Sequence, residues 1–355
     1  GGKTKLLMVD GDFQMVYYRT DVLGSNGLQP PKTWEDYLDV ASKIHGQDMN
    51  GDGEGDFGSC IFKKRNAQSY FAIQTFAAPI VQTQGTAQGF HFDNSNMKPI
   101  INNDGWKKAF ELYKATGKYG PPDELNMDIG DTRALFKAGR CGLIVEWGDP
   151  GTLQLDDDAS AIKGKMYAIS AVGSKEVLDR ATGKLVPVSA STAPYAVDGI
   201  NYAPFAAFGG WAGAVNKGAD AKTKAAAYAF LSYMNQAAQS GVDVTIGATG
   251  YNPYRTSQLA STDLWVKAGM PQALADNYLG AINGAINNLN MASDMKIPGA
   301  QKYTSVVLDT ELARYLAGEI SVDEALANIE EGWEEVTEDF GRDEQVASQA
   351  LALGL

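Results

Sequence analysis

The stretch Asp48-Met49-Asn50-Gly51-Asp52-Gly53-Glu54-Gly55-Asp56 has the residue types and spacing that most directly suggest chemistry. Oxygen-bearing side chains stand at alternate positions, Asp48, Asn50, Asp52, Glu54 and Asp56, and Gly53 falls where such a loop must turn sharply. Hard cations want several oxygens at once, and a tightly wound loop points alternate side chains inward, as in a calcium loop of the EF-hand kind. The position at which that loop carries its last, bidentate carboxylate is Ser59 here. The loop is therefore completed by a carboxylate from elsewhere or by Asp56, or it is an acidic, Gly-rich turn that binds no metal. The expectation is one structural Ca2+. No second loop of this kind exists, which argues against a paired calcium sensor.

A second set of residues could hold a small polar ligand. Trp147-Gly148-Asp149 follows an apolar run, Gly209-Gly210-Trp211 enters another, and Tyr251-Asn252-Pro253-Tyr254-Arg255 fills a loop. Asp12, in the Asp10-Gly11-Asp12 turn, joins them as a further carboxylate. Indole and phenol faces stack on the apolar faces of sugar rings, while carboxylates and Arg take the hydroxyls. The candidate ligand residues are thus Asp12, Trp147, Asp149, Trp211, Tyr251, Tyr254 and Arg255, although each tryptophan alone could equally be packing a core. Enzymatic signatures are scarce. His45 and His91 are the only histidines and read as structural. There is no nucleophile elbow, phosphate loop, dinucleotide fingerprint or zinc spacing. Glu146 and Asp149 are the best placed pair for glycoside hydrolysis, which pairs residues in space rather than in sequence. The expectation is that the protein is not an enzyme.

The elements that must position these residues read as α/β. Residues 5–18 are apolar with Asp10-Gly11-Asp12 between two strands. Thr33 caps a helix in a box with Asp36, and Trp34, Tyr37, Leu38, Ala41 and Ile44 share its inner face. That helix runs into the acidic loop, and 57–62 is the strand beyond it. Helices are expected over 66–82, from Asp104, over 132–138 and over 220–238. Strands are expected over 141–147 and 206–216. A last helix starts in a capping box at Ser321 and Glu324 and carries the stripe Val322, Ala325, Leu326, Ile329, Trp333 and Val336. Strands alternating with helices make an α/β protein.

A chain of 355 residues suits two lobes. Its net charge of −13 repels nucleic acid and anionic membranes, so neither is an expected partner. No apolar run approaches the roughly 18 residues that a membrane span needs. The Gly1-Gly2 start reads as that of a mature or trimmed chain. Cys60 and Cys141 are the whole thiol inventory. A disulfide between them would constrain the unfolded chain by on the order of 4 kcal/mol; the alternative is two separate buried thiols. The calcium loop favours the bridge, because weak calcium sites and disulfides both belong to oxidising compartments rich in calcium.

An ordered set of segments resembles a known family. Tyr17-Tyr18-Arg19-Thr20-Asp21, Pro30-Pro31-Lys32-Thr33-Trp34-Glu35-Asp36-Tyr37 and Phe136-Lys137-Ala138-Gly139-Arg140-Cys141-Gly142 with Trp147-Gly148-Asp149 are followed by Phe208-Gly209-Gly210-Trp211. Tyr251-Asn252-Pro253-Tyr254-Arg255-Thr256-Ser257, Ile297-Pro298-Gly299-Ala300 and the end from Ser321 to Trp333 with Phe340-Gly341-Arg342 complete the set. Together they are similar to the extracellular solute-binding proteins of ABC transporters, in the sugar-binding group. The resemblance implies a periplasmic-binding-protein-like (type II) two-lobe fold that closes over a sugar. Residues 15–200 with 265–355 would form the C-terminal-type lobe carrying the calcium loop. Residues 1–14 with 201–264 would form the remainder of the N-terminal-type lobe and the hinge, so the first lobe is expected to be incomplete. The implied partners are a small-molecule sugar and an ABC permease or other membrane partner, the implied state a monomer. The implied location is extracellular or periplasmic, with tethering through a missing N-terminus as a variant. A ligand- or calcium-sensing ectodomain of a membrane receptor is the alternative, and a glycoside hydrolase a more distant one.

Overall fold

Residues 4–155 and 161–355 are described by a computed structural model of the chain. Its centre is a four-stranded mixed sheet built from β2 (Gln14–Arg19), β3 (Phe57–Cys60), β4 (Cys141–Trp147) and β5 (Met166–Ile169), in the order β3-β4-β2-β5. β2 runs antiparallel to β4, with Val16 opposite Val145 and Tyr17 opposite Ile144, and β3 runs parallel to β4. Successive side chains of a strand point to opposite faces, and both faces here are covered. Val16, Leu143 and Val145 face a cluster fed by helices α1 (Trp34–Ile44), α2 (Ser69–Val81) and α3 (Asp104–Thr116). Met15, Tyr17 and Ile144 face a second cluster. This explains why all seven residues of β4 are buried. Farther along the chain come α4 (Ile129–Lys137), α5 (Ala221–Met234), α6 (Gln272–Ile286) and α7 (Val322–Phe340). α6 supplies Leu274, Ala275, Tyr278 and Ile282 to the second cluster, and α7 supplies Leu326, Ile329 and Trp333 to the first.

Several elements follow the local signals closely. Thr33 and Asp36 form the expected box at the start of α1, with the Asp36 N–H donating to Thr33 Oγ1 at 3.2 Å and the Thr33 N–H to the Asp36 carboxylate at 3.0 Å. Ser321 caps α7 through the N–H of Glu324. Cys60, ending β3, and Cys141, starting β4, are joined as a disulfide with their Cα atoms 5.9 Å apart. Both are fully buried.

Two expectations are corrected. The strand over 206–216 is instead two pairs of residues, β8 (Phe205–Ala206) and β9 (Ala212–Gly213), after a hairpin of β6 (Glu176–Asp179) and β7 (Lys184–Pro187). β8 pairs with β10 (Ala292–Ser293), and β9 with β1 (Leu7–Met8). Between the two pieces Phe208, Gly209 and Gly210 all have positive φ, which no strand tolerates. Gly210 cannot carry a side chain, because a Cβ would stand 2.1 Å from the Asp10 carbonyl oxygen. The helix expected over 220–238 ends at Met234 and a second begins at Ala237. α5 buries none of its residues, and Tyr228, Phe230 and Tyr233 on it are exposed.

The acidic loop is wound around Asp48. Asp48 Oδ1 accepts from the N–H groups of Gly51 and Asp52, and Oδ2 from that of Gly53 at 2.9 Å. Gly51 and Gly53 take the positive φ that the turn needs. Asp56 accepts from the Met49 N–H at 2.7 Å and from Arg140 Nε at 2.9 Å, and Glu54 lies 3.2 Å from Arg140 Nη2. Ser59 is turned away to the Tyr37 hydroxyl. Among the described residues no three His, Cys, Asp or Glu side chains are grouped so as to hold a metal ion.

Candidate ligand-binding site

Trp147 is the last residue of β4 and is 6% exposed. Its Nε1–H donates to Gln68 Oε1 at 2.8 Å, and its ring meets that of Phe71 edge-on at 5.1 Å. A polar anchor on one side and an aromatic contact on another fix the indole plane. The chain then turns at Gly148, whose carbonyl accepts from the hydroxyls of Tyr17 and Tyr278 at 2.9 and 2.7 Å. A Cβ at Gly148 would fall 2.3 Å from Asn252 Oδ1, so only glycine fits.

Asp149 beyond the turn is 2% exposed and would be costly to bury as an isolated charge. Arg133 on α4 compensates it. Its Nη1 lies 2.7 Å from Asp149 Oδ2 and its Nη2 2.8 Å from Oδ1. The same guanidinium grips Glu146, with Nε 2.6 Å from Oε1 and Nη2 3.0 Å from Oε2. Two forked, charge-assisted contacts from one Arg make a rigid polar wall. Glu146, a candidate for hydrolytic work, is buried under this clamp and does not line the cavity described below.

The Asp10-Gly11-Asp12 turn between β1 and β2 continues the polar lining beside Asp149. Asn252 donates its backbone N–H to Asp10 Oδ1 at 2.6 Å, and its side-chain amide to Asp10 Oδ1 at 3.1 Å and Asp12 Oδ1 at 2.8 Å. Gly11 lets the turn close on the Pro253-Tyr254 backbone, since a Cβ there would lie 3.1 Å from the Pro253 carbonyl oxygen. Burial, then the charges of Asp10 and Asp149, push the Asp12 carboxyl up to about 8. Burial, opposed by Arg133 and reinforced by Glu146, pushes Asp149 up to about 7. Burial also raises Asp10.

These walls enclose a cavity of about 790 Å³, within the range of small-molecule pockets. Of the residues expected at a ligand site, Asp12, Trp147, Asp149, Trp211 and Tyr251 all line it. Trp211 is 60% exposed and meets Phe208 edge-on at 4.9 Å. Tyr254 and Arg255 do not line it. The Arg255 guanidinium is bonded to the carbonyl and side-chain oxygens of Asn235 and lies over the Tyr254 ring at 5.2 Å. Neither histidine takes part. His91 is buried against Gln74, and burial lowers it to about 3. His45 accepts the Gly58 N–H through Nδ1 at 3.3 Å.

Arg133, Gln68, Tyr70, Phe71 and Phe208 line the cavity without having been expected as ligand residues. For Gln68 to Phe71 a signal existed, since polar and aromatic residues there precede the Ala- and Ile-rich body of α2. For Arg133 there was none, because its partners are set by the contact of α4 with β4.

Structural comparison finds the same architecture in several solute-binding proteins. Maltose-bound MalE3 of T. maritima is 18% identical, with 95% of this chain and 73% of that one covered and a TM-score of 0.70. A solute-binding protein of an ABC transporter from Agrobacterium vitis, with bound D-mannitol, is 20% identical over 96% of this chain and 74% of the other, with a TM-score of 0.66. The maltose/maltodextrin-binding domain MalE of Bdellovibrio bacteriovorus, bound to maltotriose, is 17% identical over 95% and 74%, with a TM-score of 0.61. The fold is therefore the α/β, periplasmic-binding-protein-like one. Residues 2–272 match the bacterial extracellular solute-binding proteins as a family, and with that match the chain belongs to them.

Proposed function

We propose that this protein captures a sugar or oligosaccharide outside the cytoplasm, as a monomer, and presents it to an ABC permease for uptake. The observation that carries the proposal is the convergence on one cavity of aromatic faces from Trp147, Phe71, Trp211 and Tyr251 with the carboxylates of Asp12 and Asp149 and with Arg133. Flat apolar surfaces beside fixed polar groups are what a sugar ring, apolar on its faces and polar at its rim, requires. Maltose, D-mannitol and maltotriose in the structurally similar proteins support the same class. Capture proceeds by hinge closure, the ligand favouring the closed form through contacts from both walls. No helix among the described residues is long and apolar enough to cross a membrane. Calorimetric titration with maltose, maltotriose and D-mannitol tests the proposal. Saturable binding to at least one, weakened at least tenfold in Trp147→Ala with an unchanged fold, is expected; no heat from any sugar would overturn it.

The acidic loop is proposed to take one structural Ca2+ through Asp48, Asn50, Asp52, Glu54 and Asp56. The winding of the backbone around Asp48 and the Asn50–Asp52 side-chain contact at 3.0 Å support it. Arg140 contacts both Asp56 and Glu54, and a bound ion would compete for both. Millimolar calcium is expected to raise the melting temperature in the native protein and not in Asp52→Ala. Equal melting curves with calcium and with chelator would refute the site.

A further inference from the structure

The charges around the cavity do not balance. Asp10, Asp12 and Asp149 line it, and the single cation among the lining residues is Arg133. That cation is already committed, since Glu146 and Asp149 each take two of its contacts. One guanidinium against two carboxylates leaves an excess negative charge before Asp10 and Asp12 are counted. Asp10 and Asp12 hydrogen-bond each other and take neutral donors from Asn252; Arg133 attracts Asp12 only through space, and neither carboxyl has a Lys or Arg ion pair among the described residues. Asp10 is 1% exposed and Asp12 is half-buried at the cavity wall. Two carboxylates this close and this poorly solvated cannot both stay ionised without a cation.

We infer that the ligand is a sugar bearing a protonated amine, seated with its ammonium group against Asp10 and Asp12. This rests on the sugar-binding reading of the cavity and narrows its substrate class. An ammonium supplies three N–H donors to carboxylate oxygens in charge-assisted bonds. It also replaces the proton that the pair must hold when the site is empty, in keeping with the upward shift of Asp12. The aromatic lining favours the same charge, because indole and phenol faces attract cations. A neutral sugar would fill the space and leave the pair holding its proton, forgoing the charge-assisted contacts. A uronic acid would add a further negative charge to a wall that has no uncommitted cation among the described residues, and is excluded.

The test compares four probes on the full chain at neutral pH by calorimetry: a glucosamine oligosaccharide, its N-acetylated counterpart, maltotriose and an oligogalacturonate. The glucosamine oligosaccharide is expected to bind at least tenfold more tightly than its N-acetylated form, and the oligogalacturonate not at all. Repeating the titration in buffers of different ionisation heat should show about one proton released with the amine and none with maltotriose. In Asp12→Asn the amine-to-acetyl ratio should fall toward one, and a chelator should leave the native ratio unchanged. Equal or tighter binding of the N-acetylated or neutral sugar overturns the inference and leaves sugar capture standing. A chelator-sensitive preference also overturns it, by assigning the cation to a metal. Absence of binding by all four probes overturns both readings.

Discussion

Arg133 is the residue on which the polar wall of the cavity depends. Glu146 and Asp149 are 1% and 2% exposed, and each relies on the same guanidinium. Removing one partner of a buried ionic network strands the remaining charge, typically at about 3–5 kcal/mol. Arg133→Ala should lower stability by that amount in urea unfolding, and Arg133→Lys should recover only part of it, since an ammonium cannot fork across two carboxylates. The raised carboxyls of the cavity set a pH dependence. A group that binds its proton more tightly when folded contributes stability at low pH, and that contribution is lost as pH rises through its folded value. With Asp12 near 8 and Asp149 near 7, the melting temperature should fall between about pH 4 and pH 8. Asp12→Asn should flatten the slope and raise the melting temperature at pH 8.5 by roughly 2–4 °C, the shift of about 1 kcal/mol. Asp12, Trp147, Asp149 and Trp211 were legible because each adjoins a glycine turn at the end of a strand, where side chains are released from the sheet. Arg133 and Asn252 were not, because their importance lies in partners distant in sequence: 13 and 16 residues away for Arg133, about 240 for Asn252.

At the scale of elements, β4 joins two otherwise separate parts of the molecule. Cys141 at its start carries the disulfide, and Trp147 at its end lines the cavity. The bridge spans 81 residues of sequence, which the chain-entropy argument values at about 4 kcal/mol. The Cys60→Ala, Cys141→Ala double variant should lose stability on that order in denaturant unfolding while leaving the proposed sugar binding intact; an unchanged midpoint would show that the bridge constrains little. β4 was readable as a buried strand from its apolar run, and α1 from its capping box and inner face. The segment 206–216 was misread because its apolar residues suit a strand, whereas Gly209 and Gly210 reverse the backbone. The cue was present in the glycine pair, and the close approach to Asp10 that demands it was not.

For the whole molecule, the α/β alternation led to the architecture, and the ordered segments led to the family that residues 2–272 match. What lay beyond reach was the way three loops, 10–12, 208–211 and 249–252, meet above the end of β4. The meeting leaves the six tryptophans of the chain in unequal surroundings. Trp34, Trp106, Trp147, Trp265 and Trp333 are buried, whereas Trp211 is 60% exposed. The protein therefore carries its own optical gauge. Acrylamide will quench Trp211 ahead of the other five, and light chosen at the red edge of absorption will select its emission. A ligand that settles over that indole will shield it and shift its emission to the blue, so occupancy of the cavity can be followed in the unlabelled chain.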